Sequence, residues 1–421
     1  MKILIQQACI ADMQSSHHGK IRDVLIENGV IREIRESINE PSDKVIGYRG
    51  MFISPGWVDV FSNFADPGYE FKETLETGAS AAAAGGYTDV FVIPNTKPPI
   101  DNKAQVEYIR NKAKSLPVNI WPIGAVTKNL EGKELSEMYD MQSSGAIAFG
   151  DGILPVQSAG LLLKALQYVK TFDGVIIQVP DDKSVGASGL INEGVVSTRL
   201  GLPGKPMMAE ELIIARDIKL ARYAESKIHF TGITSPKSLE YVRRAKDSGL
   251  NVTCSVAPYH LVFTDEDLLQ YDTNLKVYPP LRTREVVKTL RKGLIDGTVD
   301  CVATHHLPHE YDSKVLEFEY AKFGMTGLET SYAVLKTIIP ELSDEKLTNL
   351  LSTNPRKIFG LGQPKIEPGE ACQLTLFDPG AHWTLDEKRI RSKSRNTPFI
   401  GREFTGRSIG VINGEKLFLN N

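Results

Sequence analysis

Eight short apolar segments recur along the middle of the chain, and this repetition restricts the fold more than any other feature. They have strand character, and most of the segments between them show a helical pattern. The eight are Trp57–Val60, Val90–Pro94, Ile120–Val126, Ala146–Phe149, Val175–Val179, Ile228–Ile233, Val252–Ala257 and Cys301–Thr304. Strands buried on both faces read as continuous apolar runs of this kind. The pattern favours a closed parallel (β/α)8 barrel over its rival, an open doubly wound sheet.

Local residue patterns place helices between these strands. Asp101 can cap the helix that follows the second strand. Ser235 followed by Pro236 predicts the start of another helix, and Gly249 suits its left-handed end. The alanine-rich run 79–84 favours a helix that stops at the two glycines after it.

The two ends of the chain show short strand patterns interrupted by Asn-Gly pairs at Asn28 and Asn413. Such pairs are typical of tight hairpins. We expect residues 1–50 and 366–421 to combine into one composite β-sandwich domain, beside a barrel formed by residues 51–365.

Composition excludes several classes of protein. The 49 basic and 52 acidic residues give a net charge of −3, which does not favour nucleic acid or an anionic membrane. The four cysteines form no C-x-x-C pair, so we expect free thiols in a reducing cytosol. The apolar stretch Ile3–Ile5 is too short for a secretory signal, and no segment reaches the roughly 18 apolar residues of a membrane helix. We therefore expect a cytoplasmic protein.

Functional residues of such a barrel lie in the loops after the strands. The segment 181–207 is long and rich in Gly, Ser and Asp. A loop of that length in a compact domain is more often functional than idle.

Several segments resemble the dihydroorotases of the amidohydrolase superfamily. They are Pro55-Gly56-Trp57-Val58-Asp59, Asp66-Pro67-Gly68, Pro94-Asn95-Thr96-Lys97-Pro98, Pro279-Pro280-Leu281-Arg282, Asn354-Pro355 and Asn396-Thr397-Pro398-Phe399-Ile400-Gly401. The resemblance spans nearly the whole chain, in order and with compatible spacing. It implies an amidohydrolase barrel with a β-sandwich built from both termini. It also implies the interconversion of carbamoyl-aspartate and dihydroorotate in pyrimidine biosynthesis, with zinc as the family's cofactor.

The positions that the resemblance assigns to zinc ligands are mostly occupied by other residue types. They hold Phe61, Asn63, Asp151, Gln178, Gly232 and His305. A catalytic zinc needs about three strong nitrogen, sulfur or carboxylate ligands, and only Asp151 and His305 are of that kind. Amide oxygens suit harder cations. We therefore predict a member that has lost its zinc, with no cofactor.

The substrate side is partly retained. The resemblance implies a residual pocket formed by Asn95, Tyr278, His309, Phe323 and Gly324. Ala65 stands where the family has an arginine that grasps the substrate carboxylate, and a methyl group cannot replace that clamp. Asn95 has an equally good interpretation as a residue that only shapes its loop.

Three functions remain open at this point. The first is a non-catalytic homologue with a structural or regulatory role, partnering aspartate transcarbamoylase or an active dihydroorotase, and forming a homodimer as barrels of this family do. The second is an active dihydroorotase or other cyclic-amide hydrolase with a rearranged centre, in which His305 is the base and Asp151 orients it. The third is a small-molecule sensor that uses the remodelled pocket.

Overall fold

The computed structural model describes residues 1–420 and contains the predicted (β/α)8 barrel. Its eight strands are parallel and follow one another in chain order. They are Trp57–Ser62, Tyr87–Val92, Asn119–Gly124, Ala148–Phe149, Val175–Gln178, Lys227–Phe230, Val252–Val256 and Cys301–Val302. A parallel bridge between Ser62 and His306 joins the eighth unit to the first, and the Asn63 N–H donates to the His306 carbonyl at 2.8 Å. These contacts nearly close the barrel.

Helices connect the strands and cover the outside of the barrel. They are Leu75–Gly85, Lys103–Lys112, Met138–Ser143, Ala159–Lys170, Val195–Leu200, Met208–Ala224, Pro236–Asp247, Arg284–Asp296, Ser331–Ile338, Asp344–Thr348 and Asn354–Phe359. A π turn, Asn349–Thr353, joins the last two, and short 3-10 turns occupy Ala113–Ser115, Lys128–Leu130, Pro258–Leu261, Asp265–Gln270, Thr273–Leu275, Tyr311–Ser313 and Glu387–Arg389.

Most of the predicted helix ends are confirmed. Ser235 caps its helix by accepting from the Lys237 N–H, and Gly249 follows the helix with a φ of 76°. The prediction for Asp101 was wrong by one residue. Asn102 is the cap, because its side-chain oxygen accepts from the first free N–H groups of the helix.

The two ends of the chain form one mixed eight-stranded sheet. Its strands are Lys2–Ile10, Ile21–Glu27, Val30–Arg35, Lys44–Ile46, Phe52–Pro55, Gln373–Thr384, Glu403–Asn413 and Lys416–Leu419. The strand Phe52–Pro55 pairs parallel with the first strand and antiparallel with Gln373–Thr384. It therefore joins the N-terminal and C-terminal parts of the sheet, immediately before the chain enters the barrel.

A buried polar cluster connects the last helix of the barrel to the first two strands of the barrel. The Arg356 guanidinium lies 2.6 Å from the Asp89 carboxylate, and both side chains are only 2% exposed. Arg356 also donates to the Gly56 carbonyl at 2.9 Å. Asp89 accepts further hydrogen bonds from Trp121 and from Gln373, which belongs to the terminal sheet. The cluster thus links both sheets.

An aromatic cluster lies at the same junction. Trp57, 1% exposed, packs against Tyr332 and Phe377 with ring centroids 4.8 and 5.4 Å away. Its indole N–H donates to the Ser54 hydroxyl at 3.0 Å. Because Phe377 belongs to the terminal sheet and Trp57 to the barrel, this contact buries apolar surface between the two.

The segment 181–207 has structure of its own. It contains a two-stranded parallel pair, Ile191–Asn192 with Gly204–Lys205, and the helix Val195–Leu200 between them. The buried Arg282 side chain donates to the Asn192 side chain at 2.9 Å and to the Lys205 carbonyl at 3.0 Å. These bonds fix the segment against the barrel.

Two further expectations concern the chain as a whole. The four cysteines are unpaired, as predicted. Within residues 1–420, no helix combines the length and the apolar character needed to cross a bilayer.

Candidate functional site

A cavity of about 400 Å³ opens at the mouth of the barrel, where the loops after the strands meet. Most of its wall is apolar: Phe61, Ile153, Val179, Ala187, Leu307 and Phe323 line it. A volume in this range suits a small organic ligand. Because the lining residues come from the first, fourth, fifth, seventh and eighth units, the cavity exists only when the barrel is closed.

Phe61 and His305 form the inner wall of the cavity. Their rings stack with centroids 4.5 Å apart and planes inclined by 27°, and each residue is 1% exposed. The His305 Nε2 atom lies 2.8 Å from the Thr231 hydroxyl. Burial lowers the pKa of His305 to about 3, and the neighbouring His260 and His229 act in the same direction. His305 is therefore a neutral ring at physiological pH.

Gly232 leaves the space that the His305 ring fills. Its φ is 73°, and a Cβ atom there would lie 2.7 Å from the His305 Cε1 atom. A side chain at this position would collide with the ring and would also strain the backbone. Gly232 and His305 therefore fit each other sterically.

The Asp151 carboxylate is directed at the backbone of the preceding loop. One oxygen accepts from the Val126 and Thr127 N–H groups, both at 2.9 Å, and the other accepts from the Thr127 hydroxyl at 2.6 Å. Burial raises the pKa of Asp151, and these three donors oppose the rise. The arrangement is that of a carboxylate that holds a loop in shape.

The fifth strand brings Val179, not Gln178, to the cavity. The Gln178 side chain donates to Asp217 at 2.8 Å and accepts from the Val156 N–H at 3.1 Å. Asp217 belongs to the helix Met208–Ala224 on the outside of the barrel. Both ends of the Gln178 amide are thus hydrogen-bonded to groups outside the cavity. Asn63 is used as well, because its side-chain oxygen accepts from the Ala65 N–H at 2.8 Å.

Only two members of the predicted residual pocket, Tyr278 and Phe323, line the cavity. Asn95 joins two loops by donating to the Asp151 carbonyl at 3.2 Å and accepting from the Ile153 N–H at 3.0 Å. The His309 ring bonds to the Phe323 carbonyl at 2.9 Å, and Gly324 bonds to neighbouring backbone and side chains. The positions of Asn95 and His309 support a structural role in their loops.

Sequence reasoning missed a polar group in the cavity wall. The Lys205 ammonium lies 2.7 Å from the Asp181 carboxylate, and their side chains are only 5% and 7% exposed. The Tyr278 hydroxyl bonds to the same carboxylate, and burial raises its pKa. Lys205 also donates to the Val185 carbonyl at 2.9 Å. The only signal in the sequence was the polar composition of the segment 181–207, which does not predict a pairing.

The residues present do not fit the zinc centre that the family resemblance implies. Phe61 and Val179 have no donor atom, and the side chains of Asn63, Asp151 and Gln178 are occupied by hydrogen bonds. Within residues 1–420, no three His, Cys, Asp or Glu side chains are grouped so that they could hold a metal ion. His305 alone cannot supply the three strong ligands of a catalytic zinc.

Replacing His305 should reduce the acid sensitivity of the protein. An unfolded imidazole takes up a proton below pH 6.5, whereas the buried ring does so only near pH 3. The stabilisation is therefore present above pH 6.5 and is lost as the pH falls. Lowering the pH from 7 to 5 should therefore reduce the free energy of unfolding of both proteins. We expect the reduction to be about 2 kcal/mol larger in the wild type than in the His305→Gln variant. Urea unfolding of both proteins at both pH values measures this. Equal losses would contradict it.

Residues 50–238 match the profile of the family described as dihydro-orotase-like. The dihydroorotase of Syntrophus aciditrophicus (strain SB) is 40% identical over 417 residues, covering 98% of each chain. The dihydroorotase of Carboxydothermus hydrogenoformans is 43% identical over 394 residues, covering 92% of each.

Two solved structures share the fold over almost the whole chain. The L-hydantoinase (dihydropyrimidinase) from Arthrobacter aurescens superposes with a TM-score of 0.86 at 23% identity, covering 99% of this chain and 96% of that one. A D-hydantoinase gives a TM-score of 0.83 at 20% identity, covering 100% and 95%. At these identities the likeness establishes the architecture alone.

Proposed function

Because this chain belongs to the dihydroorotase family, we propose that it acts in pyrimidine biosynthesis as a non-catalytic homologue of the enzyme. The observation that supports this most strongly is the state of the barrel mouth. Where the resemblance implies a metal centre, Phe61 stacks on His305 and the Asp151 carboxylate is saturated by three protein donors. That arrangement leaves no set of strong ligands for a metal ion that would polarise a substrate amide.

The alternative is an active dihydroorotase, or another cyclic-amide hydrolase, with a rearranged centre. The supporting observation is the 38–43% identity with proteins named dihydroorotase over more than nine-tenths of the chain. In this alternative, the neutral His305 is the base and Asp151 is its orienting carboxylate. The hydrogen bonds of the two side chains count against it, since His305 bonds to Thr231 and Asp151 bonds to the loop at Val126.

A turnover assay separates the two functions. We expect the purified protein to show no opening of dihydroorotate above the buffer rate, and no gain when zinc is added, because the mouth offers one free imidazole at most. The dihydroorotase of Geobacter metallireducens, 40% identical over 421 residues, is the parallel control for the assay. Turnover by this chain that disappears in His305→Ala would overturn the non-catalytic function.

The proposal includes a partner. A homologue without chemistry can still contribute a surface to an assembly, and we propose aspartate transcarbamoylase or an active dihydroorotase as that partner, with the chain itself a homodimer. Sedimentation of the same preparation, alone and mixed with each candidate, reports on this. Co-sedimentation with a transcarbamoylase, combined with inactivity, supports the structural role. A monomer that binds neither candidate contradicts it.

A further inference from the structure

The loop that follows the eighth strand presents large apolar side chains to solvent. Tyr311 and Tyr320 are 76% and 68% exposed, and Val315 and Leu316 between them are exposed as well. Soluble proteins keep such patches small, and larger ones mark interaction sites. Aromatic side chains in particular are enriched where proteins bind one another. The exposed residues of this loop therefore indicate a contact with another protein chain.

Two buried lysines hold the backbone of the loop in place. The Lys276 ammonium donates to the Phe318 carbonyl at 2.6 Å, and the Lys314 ammonium donates to the Lys322 carbonyl at 2.7 Å. Both lysine side chains are almost completely buried. Because the backbone is fixed before any contact forms, a partner that covers the loop loses less conformational entropy in ordering it.

The same loop has an excess of negative charge. Asp312, Glu317 and Glu319 are exposed, and none of them forms an ion pair with another of the described residues 1–420. The one lysine among residues 310–320 is the buried Lys314, whose ammonium is directed inward at the backbone. We call residues 310–320 the acidic loop.

The segment Lys388–Arg395, which we call the basic segment, has the opposite charge. Within residues 1–420 only Arg395 of this segment forms an ion pair, with Glu387 at 3.5 Å. The buried Ser392 hydroxyl donates to the Glu73 carboxylate and fixes the segment against the barrel. Its exposed basic side chains are Lys388, Arg389, Arg391, Lys393 and Arg395.

A short stretch of chain connects the basic segment with the acidic loop on the surface. The Lys393 ammonium donates to the Glu70 carbonyl at 2.6 Å. Two residues further along, the Lys72 ammonium lies 5.7 Å from the centroid of the exposed Phe71 ring and interacts electrostatically with Glu310. The basic segment, Phe71 and the acidic loop therefore form one continuous surface at the rim of the barrel mouth.

This surface is complementary to itself. A two-fold axis that lies in the plane of contact, between the two charged segments, places the acidic loop of one copy on the basic segment of the other, and this happens twice. Both sets of charges then gain partners, and the apolar side chains are covered. The segments together supply about the 20–30 residues per side that a specific interface contains.

We propose that this surface is the interface of a homodimer. The acidic loop of one copy docks on the basic segment of the second copy, and the Phe71 rings of the two copies lie near the axis. The inference rests on the proposed function in one respect, since it names the contact surface of the homodimer proposed there.

Charge reversal tests the two halves of the surface separately. By sedimentation equilibrium of the full chain, we expect a wild-type dimer with a Kd below about 10 µM. The double variant Glu317→Lys, Glu319→Lys puts like charges together at both contacts, so its Kd should rise at least about tenfold. The double variant Arg391→Glu, Lys393→Glu should have the same effect.

A mixture of the two charge-reversed proteins gives the sharpest result. In the mixed dimer one contact is the wild-type contact and the other has both signs reversed, so both are attractive again. We expect the mixture to dimerise with a Kd within about threefold of the wild type, although each variant alone associates weakly. Misfolded variants would not recover on mixing.

The apolar part of the surface has its own variants. Tyr311→Ala combined with Tyr320→Ala should raise the Kd about tenfold, because aromatic side chains contribute much of the energy of an interface. The matched controls are Tyr223→Ala and Lys219→Glu, both exposed on the outer helix Met208–Ala224. These controls should leave the Kd unchanged.

Three results would overturn the inference. One is a wild-type dimer whose Kd is the same in all the surface variants, and this would leave the homodimer itself intact. Another is a mixture of folded charge-reversed proteins that does not recover. The third is a wild-type chain that stays monomeric at about 100 µM. Turnover of dihydroorotate, by contrast, would contradict the non-catalytic function and leave the interface unaffected.

Discussion

Arg356→Ala should lower the free energy of unfolding by about 3–5 kcal/mol, because it leaves a buried carboxylate without its cation. Arg356 and Asp89 are each 2% exposed, and the guanidinium also satisfies the Gly56 carbonyl. The remaining donors to Asp89, such as Trp121, keep part of its hydrogen bonding but supply no charge. Urea unfolding followed by circular dichroism measures the loss.

The matched control for this variant is Arg244→Ala. Arg244 pairs with Glu240 one helical turn away, and its side chain is 68% exposed. Solvent screens such a pair, so we expect a change within about 0.5 kcal/mol. If Arg356→Ala cost no more than this control, the buried cluster would contribute nothing to the closure of the barrel.

Trp57→Ala should destabilise the protein by about 3–5 kcal/mol, because it opens a large void between the barrel and the terminal sheet. The indole packs against Tyr332 and Phe377, and its N–H satisfies Ser54. Trp57→Phe keeps an aromatic ring in place and should recover more than half of the loss. Thermal and urea unfolding of both variants provide the comparison.

An exposed aromatic residue is the control for the tryptophan. Tyr223 is 74% exposed on the outer helix Met208–Ala224. Its replacement by alanine removes little buried surface, so the change should stay within about 0.5 kcal/mol. If Trp57→Ala also lowered the free energy of unfolding by no more than about 0.5 kcal/mol, the junction between barrel and sheet would contribute little to stability.

The fold could be predicted from the sequence because its signals are local. Apolar runs such as Val175–Val179 identify strands, and Ser235 with Pro236 identifies a helix start within a few residues. The prediction of Asp101 as the helix cap was wrong because Asp101 and Asn102 are both good N-cap residues. Only the backbone conformation determines which of the two caps the helix. The fourth strand, Ala148–Phe149, is shorter than the predicted segment Ala146–Phe149. The two extra apolar residues lie outside the paired strand.

The candidate site was harder to predict because it depends on the direction of single side chains. Neighbouring residues at the end of a strand face opposite sides, so sequence alone could not tell which of Gln178 and Val179 faces the cavity. Asp181 and Lys205 are 24 positions apart in the sequence, and they meet because the segment folds into its parallel strand pair and helix. No periodicity encodes such a contact.

The central strand Phe52–Pro55 has a consequence for synthesis of the chain. Its partner strand Gln373–Thr384 is synthesised more than 300 residues later. The hydrogen bond between Trp57 and Thr375, for example, joins residues 318 positions apart. Throughout elongation, one edge of the N-terminal strands has no partner, and unpaired edges promote aggregation. A nascent chain that stalls before residue 373 therefore leaves this edge of Phe52–Pro55 open to pairing with other chains.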